Sequence, residues 1–303
     1  MANISSTSTG TAKASLSSSK NKQKTIKNYV SIEGLGLFTG CKSSVTLCPA
    51  PENTGVVFKR TDLPTAPIIP AHVDFIYKTP RCTILGNEDA YVQSVEHILS
   101  AVRAYEIDNL VIEISGPEIP AGDGSAKLFV DLIEEGGIAI LSAPKKIYHL
   151  SSPVFWSRGE VHLIALPSDD FRISYTLSYP NSNLLHSQFS SFSLNAEDFK
   201  NEIATSRTFS LYEEIVPLIE QGLIKGGTLD NGVVIKNDAV INPEGLRFSD
   251  ECVRHKILDV IGDLSLMGIY VHMHVIAIRS GHYSNTRLAH EIVNHFKMER
   301  RPK

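Results

Sequence analysis

Cysteine is scarce in this chain, and its four cysteines lack the spacing of a metal-binding or redox motif. Cys41, Cys48, Cys82 and Cys252 form no C-x-x-C pair, so we predict reduced thiols rather than a disulfide framework or a cysteine-rich zinc site. No apolar run is long enough to span a bilayer. The net charge of −4 provides no excess of basic residues for phosphate contacts. We therefore expect neither stable membrane insertion nor a nucleic-acid partner.

The remaining composition is that of an ordinary globular protein, with 42% hydrophobic and 20% charged residues. A length of 303 residues is typical of two domains. Residues 1–24 are rich in serine, threonine and alanine and contain four lysines but no acidic residue. This composition predicts a disordered tail without a secretory signal, whereas an organelle address remains an alternative.

The stretch Phe248–Gly268 has the pattern of one long helix, with Glu251 in its first turn. An apolar stripe faces a core, and His255, Asp259 and Asp263 recur every four residues on another face. A histidine and an aspartate one turn apart can reach the same zinc ion. A solvated polar face is the alternative interpretation of this spacing.

A second candidate pair, Glu96 and His97, lies near the start of a helix that the sequence predicts from Ser94. This pair is consistent with a general base beside a metal ligand. The simpler interpretation is that Glu96 only complements the helix dipole.

Two glycine-rich segments are predicted to be connections. Gly34–Gly40 does not fit the dinucleotide-binding fingerprint and has no helix pattern after it, so it is interpreted as a tight connection between strands. Gly116–Ser125 contains turn residues and leads into a predicted helix at Ala126–Glu135. For this loop we favour a structural role over a role in packing near an active site.

The order of predicted elements occurs twice, with a boundary near Leu141–Lys146. Strands followed by helices in both halves predict two α+β domains related by duplication. We place domain I at residues 25–143 and domain II at residues 144–296, followed by a basic tail at residues 297–303. Domain II includes a predicted amphipathic helix at Ser210–Gln221.

Five motifs together resemble those of one enzyme family. In chain order they are Val95-Glu96-His97, the loop Gly116–Ala126, Arg207-Thr208-Phe209, the segment Gly245–Asp263 and Ser280-Gly281-His282. In this order the motifs resemble those of the UDP-3-O-acyl-N-acetylglucosamine deacetylases, which are the zinc amidases of lipid A biosynthesis. The resemblance covers about Thr25 to Phe296.

The resemblance implies both an architecture and a metal site. The family fold has two similar α+β domains, each a sheet with helices on one face, so that the helices are sandwiched between the two sheets. The resemblance also implies that His97, His255 and Asp259 hold Zn²⁺ in the cleft between the domains, with water at the open fourth position.

Catalytic roles follow from the same resemblance. Glu96 would accept a proton from the zinc-activated water that attacks the acetamide carbonyl, and Thr208 would help to stabilise the oxyanion. His282, supported by Asp263, would protonate the departing amine or stabilise charge. Whether Glu96 or His282 protonates that amine stays open.

The resemblance also implies a substrate-binding set, with Lys256 near the polar part of the substrate and an apolar passage around Ser210–Gln221 for the acyl chain. The residues of this set are Lys256, Phe209, Leu37, Cys82, Ile215 and Ile224. A role in the core is the alternative for the apolar residues of that helix.

Two positions depart from the family pattern. Phe38 replaces a histidine that is common there, and the segment Arg158–His162 lacks a lysine that some members use for the nucleotide. Arg158 or His162 would have to replace that lysine. The prediction is a cytoplasmic, monomeric enzyme with an acylated UDP-amino sugar as its small-molecule substrate. A zinc amidase or esterase for another acylated sugar, or a non-catalytic binding protein, is the alternative.

Overall fold

The computed structural model describes residues 22–299, with Glu299 described by its backbone alone. The strands of the first half are β1 (Lys22–Ile26), β2 (Val30–Leu35), β3 (Lys42–Pro49), β4 (Val56–Arg60), β5 (Ile68–Pro70), β6 (Ile76–Lys78), β7 (Ile84–Gly86), β8 (Tyr91–Gln93), β9 (Leu110–Ser115) and β10 (Ile138–Pro144). Those of the second half are β11 (Ile147–His149), β12 (Val154–Arg158), β13 (Val161–Pro167), β14 (Phe171–Tyr179), β15 (His186–Ser193), β16 (Phe209–Leu211), β17 (Val233–Lys236), β18 (Ala239–Val240) and β19 (Tyr270–Ile278).

Within the described residues, the first half contains two helices and the second half contains four. They are α1 (Glu96–Ala104), α2 (Lys127–Gly136), α3 (Ala196–Asp198), α4 (Tyr212–Glu220), α5 (Glu251–Ser265) and α6 (His282–Glu299). A 3₁₀ turn occupies Val73–Phe75, and a π-helical turn at Phe199–Ile203 continues α3. Within residues 22–299, no helix combines the length and the apolar character that crossing a lipid bilayer requires.

The two large sheets share one topology. The first has the strand order β2-β3-β9-β4-β5, and the second has β12-β13-β19-β14-β15, with β11 also pairing with β19. In each sheet the last strand in sequence lies in the centre, antiparallel to one neighbour and parallel to the other. Each half also carries a small three-stranded sheet, β6-β7-β8 or β16-β17-β18. The predicted repetition of α+β elements is therefore present at the level of strand order.

The helices form the interior layer. Helix α2 packs against β2, α5 and α6 pack against the second sheet, and α1 packs against α5 where the two halves meet. A Cβ atom at Gly262 of α5 would lie 2.0 Å from the carbonyl oxygen of Glu96. The two helices approach this closely because glycine has no side chain. The predicted α+β architecture, with helices between two sheets, is confirmed.

A few residues that the sequence analysis placed in the two tails belong to regular secondary structure. Residues 22–24 belong to β1, which pairs with β10, and the Lys24 amide donates to Asp108 Oδ2 at 2.7 Å. These pairings satisfy the hydrogen-bonding groups of the backbone and so hold the segment in a defined conformation. At the other end, α6 continues through residues 297–299 because Lys and Met favour helix propagation after the last apolar turn. Residues 1–21 and 300–303, the rest of the predicted tails, lie outside the described residues. The boundary between domains stays a prediction.

Two local predictions were wrong. Ser94 does not cap α1: it adopts a φ of +61°, and its hydroxyl donates to Glu118 Oε1 at 2.9 Å. The same carboxylate accepts hydrogen bonds from the amides of Phe38 and Thr39, so Glu118 secures the β2–β3 connection that the sequence predicted. The helix expected from Ser210 begins only at Tyr212, because residues 209–211 pair with β17 as a strand.

Candidate metal-dependent active site

A cavity of about 1110 Å³ lies between the two halves of the chain. Residues of both halves line it, so its shape depends on how α1 and α5 pack together. The predicted site residues that line it are Leu37, Glu96, His97, Thr208, Phe209, Ile215, Ile224, His255, Lys256, Asp259 and His282. Asp263 and Cys82 are not among the lining residues.

Three predicted ligands converge at one side of this cavity. One nitrogen of His97, one nitrogen of His255 and one carboxylate oxygen of Asp259 all lie within 4.8 Å of one another. The Nε2 atoms of the two histidines are 3.7 and 3.4 Å from Asp259 Oδ1. His97 comes from α1, whereas His255 and Asp259 lie one turn apart on α5. This separation between ligand atoms suits an ion that is bound by all three.

The hydrogen bonds around the cluster orient its ligand atoms. His255 Nδ1 lies 3.0 Å from the carbonyl oxygen of Ser206. A carbonyl can only accept, so Nδ1 carries the proton and the lone pair of Nε2 points towards His97 and Asp259. Asp259 Oδ1 is buried and has no hydrogen-bond partner among residues 22–299. An unpaired buried carboxylate oxygen beside two imidazole nitrogens fits a bound cation.

The protonation states of the cluster also favour a metal. Burial, reinforced by the neighbouring His255, lowers the pKa of His97 to about 3, and burial also lowers the pKa of His255. Burial alone would raise the pKa of Asp259, but the positive charge of Lys256 and the adjacent histidines hold it below its usual range. At neutral pH the site therefore offers two neutral imidazoles and one carboxylate. Metal binding requires these forms of its ligands.

Glu96 lies beside the cluster with its carboxylate almost fully buried. Its Oε2 accepts a hydrogen bond from the backbone amide of Thr83 at 2.9 Å. Burial raises the pKa of Glu96 to about 7, while the positive charge of His282 opposes this shift. A carboxylate with a pKa near neutrality is suited to take up and release a proton during a reaction.

His282 faces Glu96 across the site, with its Nε2 atom 3.9 Å from Glu96 Oε1. Its Nδ1 atom donates to Asp263 Oδ2 at 3.0 Å, and Asn285 donates to the same oxygen at 2.9 Å. Burial disfavours the charged ring, but Asp263, Glu96 and Asp259 together raise the pKa of His282 to about 9. His282 is therefore protonated at neutral pH and can act as a proton donor. Asp263 does not line the cavity itself and acts on it through its hydrogen bond to the ring of His282.

Thr208 is held at the cavity wall by a loop from the other half of the chain. Its amide donates to the carbonyl of Gly124 at 2.8 Å, and its own carbonyl accepts from Val233 at 2.7 Å. Gly124 has a φ of +82°, and a Cβ atom there would lie 2.2 Å from the carbonyl of Asn231. The loop 116–125 is therefore both a structural connection and a support of the site.

A buried ion pair, which the sequence interpretation missed, supports the same wall. Arg207 and Glu251 are both fully buried, and Arg207 Nε donates to Glu251 Oε1 at 2.8 Å. Glu251 Oε2 also accepts from the Arg207 guanidinium and from the Arg247 amide. The sequence assigned Glu251 only to a helix start, because nothing in its spacing indicates a partner 44 residues away. The ion pair ties the Ser206–Thr208 segment to the helix that carries His255.

The predicted substrate-binding residues do not all reach the cavity. Lys256 does, and its Nζ donates to Asp259 Oδ2 at 2.6 Å. Leu37, Phe209, Ile215 and Ile224 line the apolar part of the wall. Helix α4, which carries Ile215, has no fully buried residue, so the structure places it at the cavity rather than in the core.

Cys82 was expected to contact substrate, and the structure does not bring it to the cavity. Its side chain is only 1% exposed, and burial raises the pKa of its thiol. Its neighbour Thr83 instead contacts the site, through hydrogen bonds to Glu96 and Asp263. Of the two candidates to replace the missing lysine, Arg158 lines the cavity and His162 does not. They lie on opposite faces because side chains alternate along β12 and β13.

Comparisons with known proteins point to one family. The description of the family that matches residues 23–294 is UDP-3-O-acyl N-acetylglycosamine deacetylase. The protein named UDP-3-O-acyl-N-acetylglucosamine deacetylase in Chlamydia pneumoniae is 46% identical over 272 residues, which are 89% of this chain and 96% of that protein. A protein with the same name in Chlamydia caviae is 46% identical, with the same coverage of both chains. In Chlamydia trachomatis serovar L2 the identity is 44%, over 91% of this chain and 96% of that protein.

Proposed function

The chain belongs to the UDP-3-O-acyl N-acetylglycosamine deacetylase family, and we propose that it hydrolyses the N-acetyl amide of UDP-3-O-(3-hydroxyacyl)-N-acetylglucosamine with the help of Zn²⁺. Acetate is released, and the free amine enters lipid A biosynthesis. The observation that carries this proposal is the buried, unpartnered Oδ1 of Asp259, which faces two imidazole nitrogens beside Glu96 and His282.

In this proposal His97, His255 and Asp259 are the metal ligands. Two nitrogens and one carboxylate oxygen match the three-ligand sets of catalytic zinc sites, which keep one position open. When bound, zinc supplies Lewis-acid chemistry that activates water and polarises the amide carbonyl. Lys256 holds the second oxygen of Asp259 and thereby leaves Oδ1 directed at the histidines.

Glu96 is the general base in this scheme. Its free oxygen, Oε1, faces the cavity while the Thr83 amide holds Oε2. Because burial raises its pKa to about 7, Glu96 can remove a proton from the attacking water and later release it to solvent. As water attacks the acetamide carbon, the new C–O bond forms and the proton of the water moves to Glu96.

Thr208 and His282 interact with the groups that become charged in the next steps, the carbonyl oxygen and the departing nitrogen. The Thr208 hydroxyl at the cavity wall donates to the oxyanion of the tetrahedral intermediate. His282, protonated at neutral pH, gives its Nε2 proton to the departing nitrogen as the C–N bond breaks. Asp263 keeps the ring oriented through Nδ1. Acetate and the amine leave, Glu96 releases its proton to solvent, and His282 takes up a proton from solvent.

Charge and apolar surface in the cavity match the two ends of the substrate. Arg158, Lys256 and Arg279 supply positive charge for the diphosphate. Phe209, Ile215 and Ile224 supply an apolar passage for the acyl chain. Since lipid A precursors are made in the bacterial cytoplasm, the proposal places a monomeric enzyme there.

The test is to measure the metal content and the acetate released from the acylated UDP-sugar for wild type and Glu96→Gln. We expect stoichiometric zinc in both proteins and turnover in wild type alone, with the variant reduced about 100-fold or more. Zinc without turnover in wild type would mean that the substrate is another acylated sugar. Absence of both zinc and turnover would reject it.

A further inference from the structure

Thr83 connects the two proton-transferring groups of the site, although no pattern in the sequence singles it out. It lies immediately before β7 and is fully buried. Its backbone amide donates to Glu96 Oε2 at 2.9 Å, and its hydroxyl donates to Asp263 Oδ1 at 2.6 Å. One residue of the first half therefore contacts a carboxylate of each half.

The contact with Asp263 fixes the direction of that carboxylate. Oδ1 accepts from the Thr83 hydroxyl, and Oδ2 accepts from Asn285 and from His282 Nδ1. With both oxygens engaged, Asp263 cannot rotate without breaking a hydrogen bond to a charged group, which is among the stronger kinds. The ring of His282 is consequently held with Nε2 directed into the cavity.

The contact with Glu96 fixes the other partner. Because the Thr83 amide occupies Oε2, the free oxygen Oε1 faces His282 Nε2 at 3.9 Å. Both hydrogen bonds start from one residue, so the position of the base relative to the acid depends on Thr83. The separation is too long for a hydrogen bond between Oε1 and Nε2, so both atoms stay available to reacting groups.

We propose that Thr83 is a positioning residue that sets the distance and orientation between Glu96 and His282 through its amide and its hydroxyl. This inference rests on the proposed function, since it assigns a role in that reaction. Thr83 does not line the cavity and its hydrogen bonds connect it to Glu96 and Asp263, so its effect should appear in the chemical step and leave substrate binding unchanged.

The competing explanation is that Thr83 only stabilises the junction of the halves. Thr83→Val separates the two, because valine keeps the shape and the backbone amide but removes the hydroxyl. We expect kcat to fall by about 10- to 100-fold, as for other small displacements of reacting groups. KM and zinc content should stay within about twofold of wild type, since ground-state binding is not affected.

Two further variants make this result specific. Thr83→Ser restores the hydroxyl and should return kcat to within about threefold of wild type. Thr25→Val is a matched control, because Thr25 is also buried and its hydroxyl accepts from the Ala50 amide, far from the cavity. This control should keep wild-type kcat even if its unfolding midpoint falls.

A readout independent of turnover distinguishes failure of this inference from failure of the proposed function. The imidazole ¹⁵N resonances of His282, assigned with His282→Gln, should shift in Thr83→Val and remain unchanged in Thr25→Val. Unchanged His282 resonances in Thr83→Val would overturn the inference, whether or not wild type deacetylates the sugar. It would also be overturned by a kcat in Thr83→Val equal to wild type, or by a Thr83→Ser variant as slow as Thr83→Val.

Discussion

The ammonium group of Lys256 lies 2.6 Å from Oδ2 of Asp259, and both side chains are largely buried in the cavity wall. The other oxygen of the same carboxylate faces the two histidines. One aspartate thus faces a permanent cation on one side and the candidate metal position on the other. Without bound metal, Lys256 is the cation that most directly compensates the charge of Asp259.

Lys256→Met should therefore affect the metal-free protein more than the zinc-loaded protein. Removing one partner of a buried ion pair costs about 3–5 kcal/mol, because the remaining charge is uncompensated. Zinc would supply the missing positive charge, so the loss in free energy of unfolding should shrink when the metal is present. Denaturant unfolding with and without zinc measures this difference. Lys200→Met, which removes an exposed pair with Glu134, is the control, and equal losses in both forms of Lys256→Met would contradict the expectation.

The pH dependence of kcat/KM should be bell-shaped. Glu96 becomes an effective base as pH rises through its pKa of about 7, and His282 loses its proton as pH rises through about 9. A bound cation favours the carboxylate and disfavours the imidazolium, so both limbs should lie at or below these values. His282→Gln should abolish the alkaline limb and keep the acid limb. Survival of both limbs in that variant would exclude His282 as the group that must be protonated.

Arg207→Met should destabilise the protein strongly although Arg207 does not line the cavity. The change leaves the carboxylate of Glu251 buried and unpaired, and we expect a loss of about 3–5 kcal/mol in free energy of unfolding. The double variant Arg207→Met/Glu251→Gln should regain much of this loss, because no uncompensated charge remains. A double variant as unstable as the single one would show that hydrogen bonding to the backbone, not charge, dominates.

Gly262→Ala should separate the helices that carry the ligands. Its Cβ atom would lie 2.0 Å from the Glu96 carbonyl, so α1 and α5 must move apart. We expect a loss of about 1–3 kcal/mol in stability, typical of overpacking, together with weaker zinc binding. Gly232→Ala is the matched control, since its nearest atom lies at 3.6 Å. Unaltered zinc affinity in Gly262→Ala would mean that the ligand cluster tolerates this movement.

The sequence alone predicted those parts of the site that depend on local periodicity. His255 and Asp259 lie one turn apart, and helix geometry brings them together regardless of the rest of the fold. His97 joins them only because α1 packs against α5, so its place followed from the family resemblance and not from spacing. The repeated order of strands was likewise visible as a repeated pattern, whereas the central position of β9 and β19 was not.

The wrong predictions concern contacts between distant segments. Ser94 has the residue type of a helix cap, but its hydroxyl is taken by Glu118. The family resemblance selected Cys82, whereas its neighbour Thr83 is the residue that hydrogen-bonds to Glu96 and Asp263. The ion pair between Arg207 and Glu251 could not be predicted from the sequence, because packing between distant segments brings the two side chains together. These features require the tertiary structure.

The common strand order of the two sheets has a consequence for how this protein can change over time. The candidate active site lies between two units of the same strand order, so a change in the orientation of either unit would alter the site. A substitution on the α1–α5 contact can alter turnover although it touches no ligand, and a compensating substitution can arise in the opposite copy. In such variants the reaction rate would report a change in the angle between the two halves.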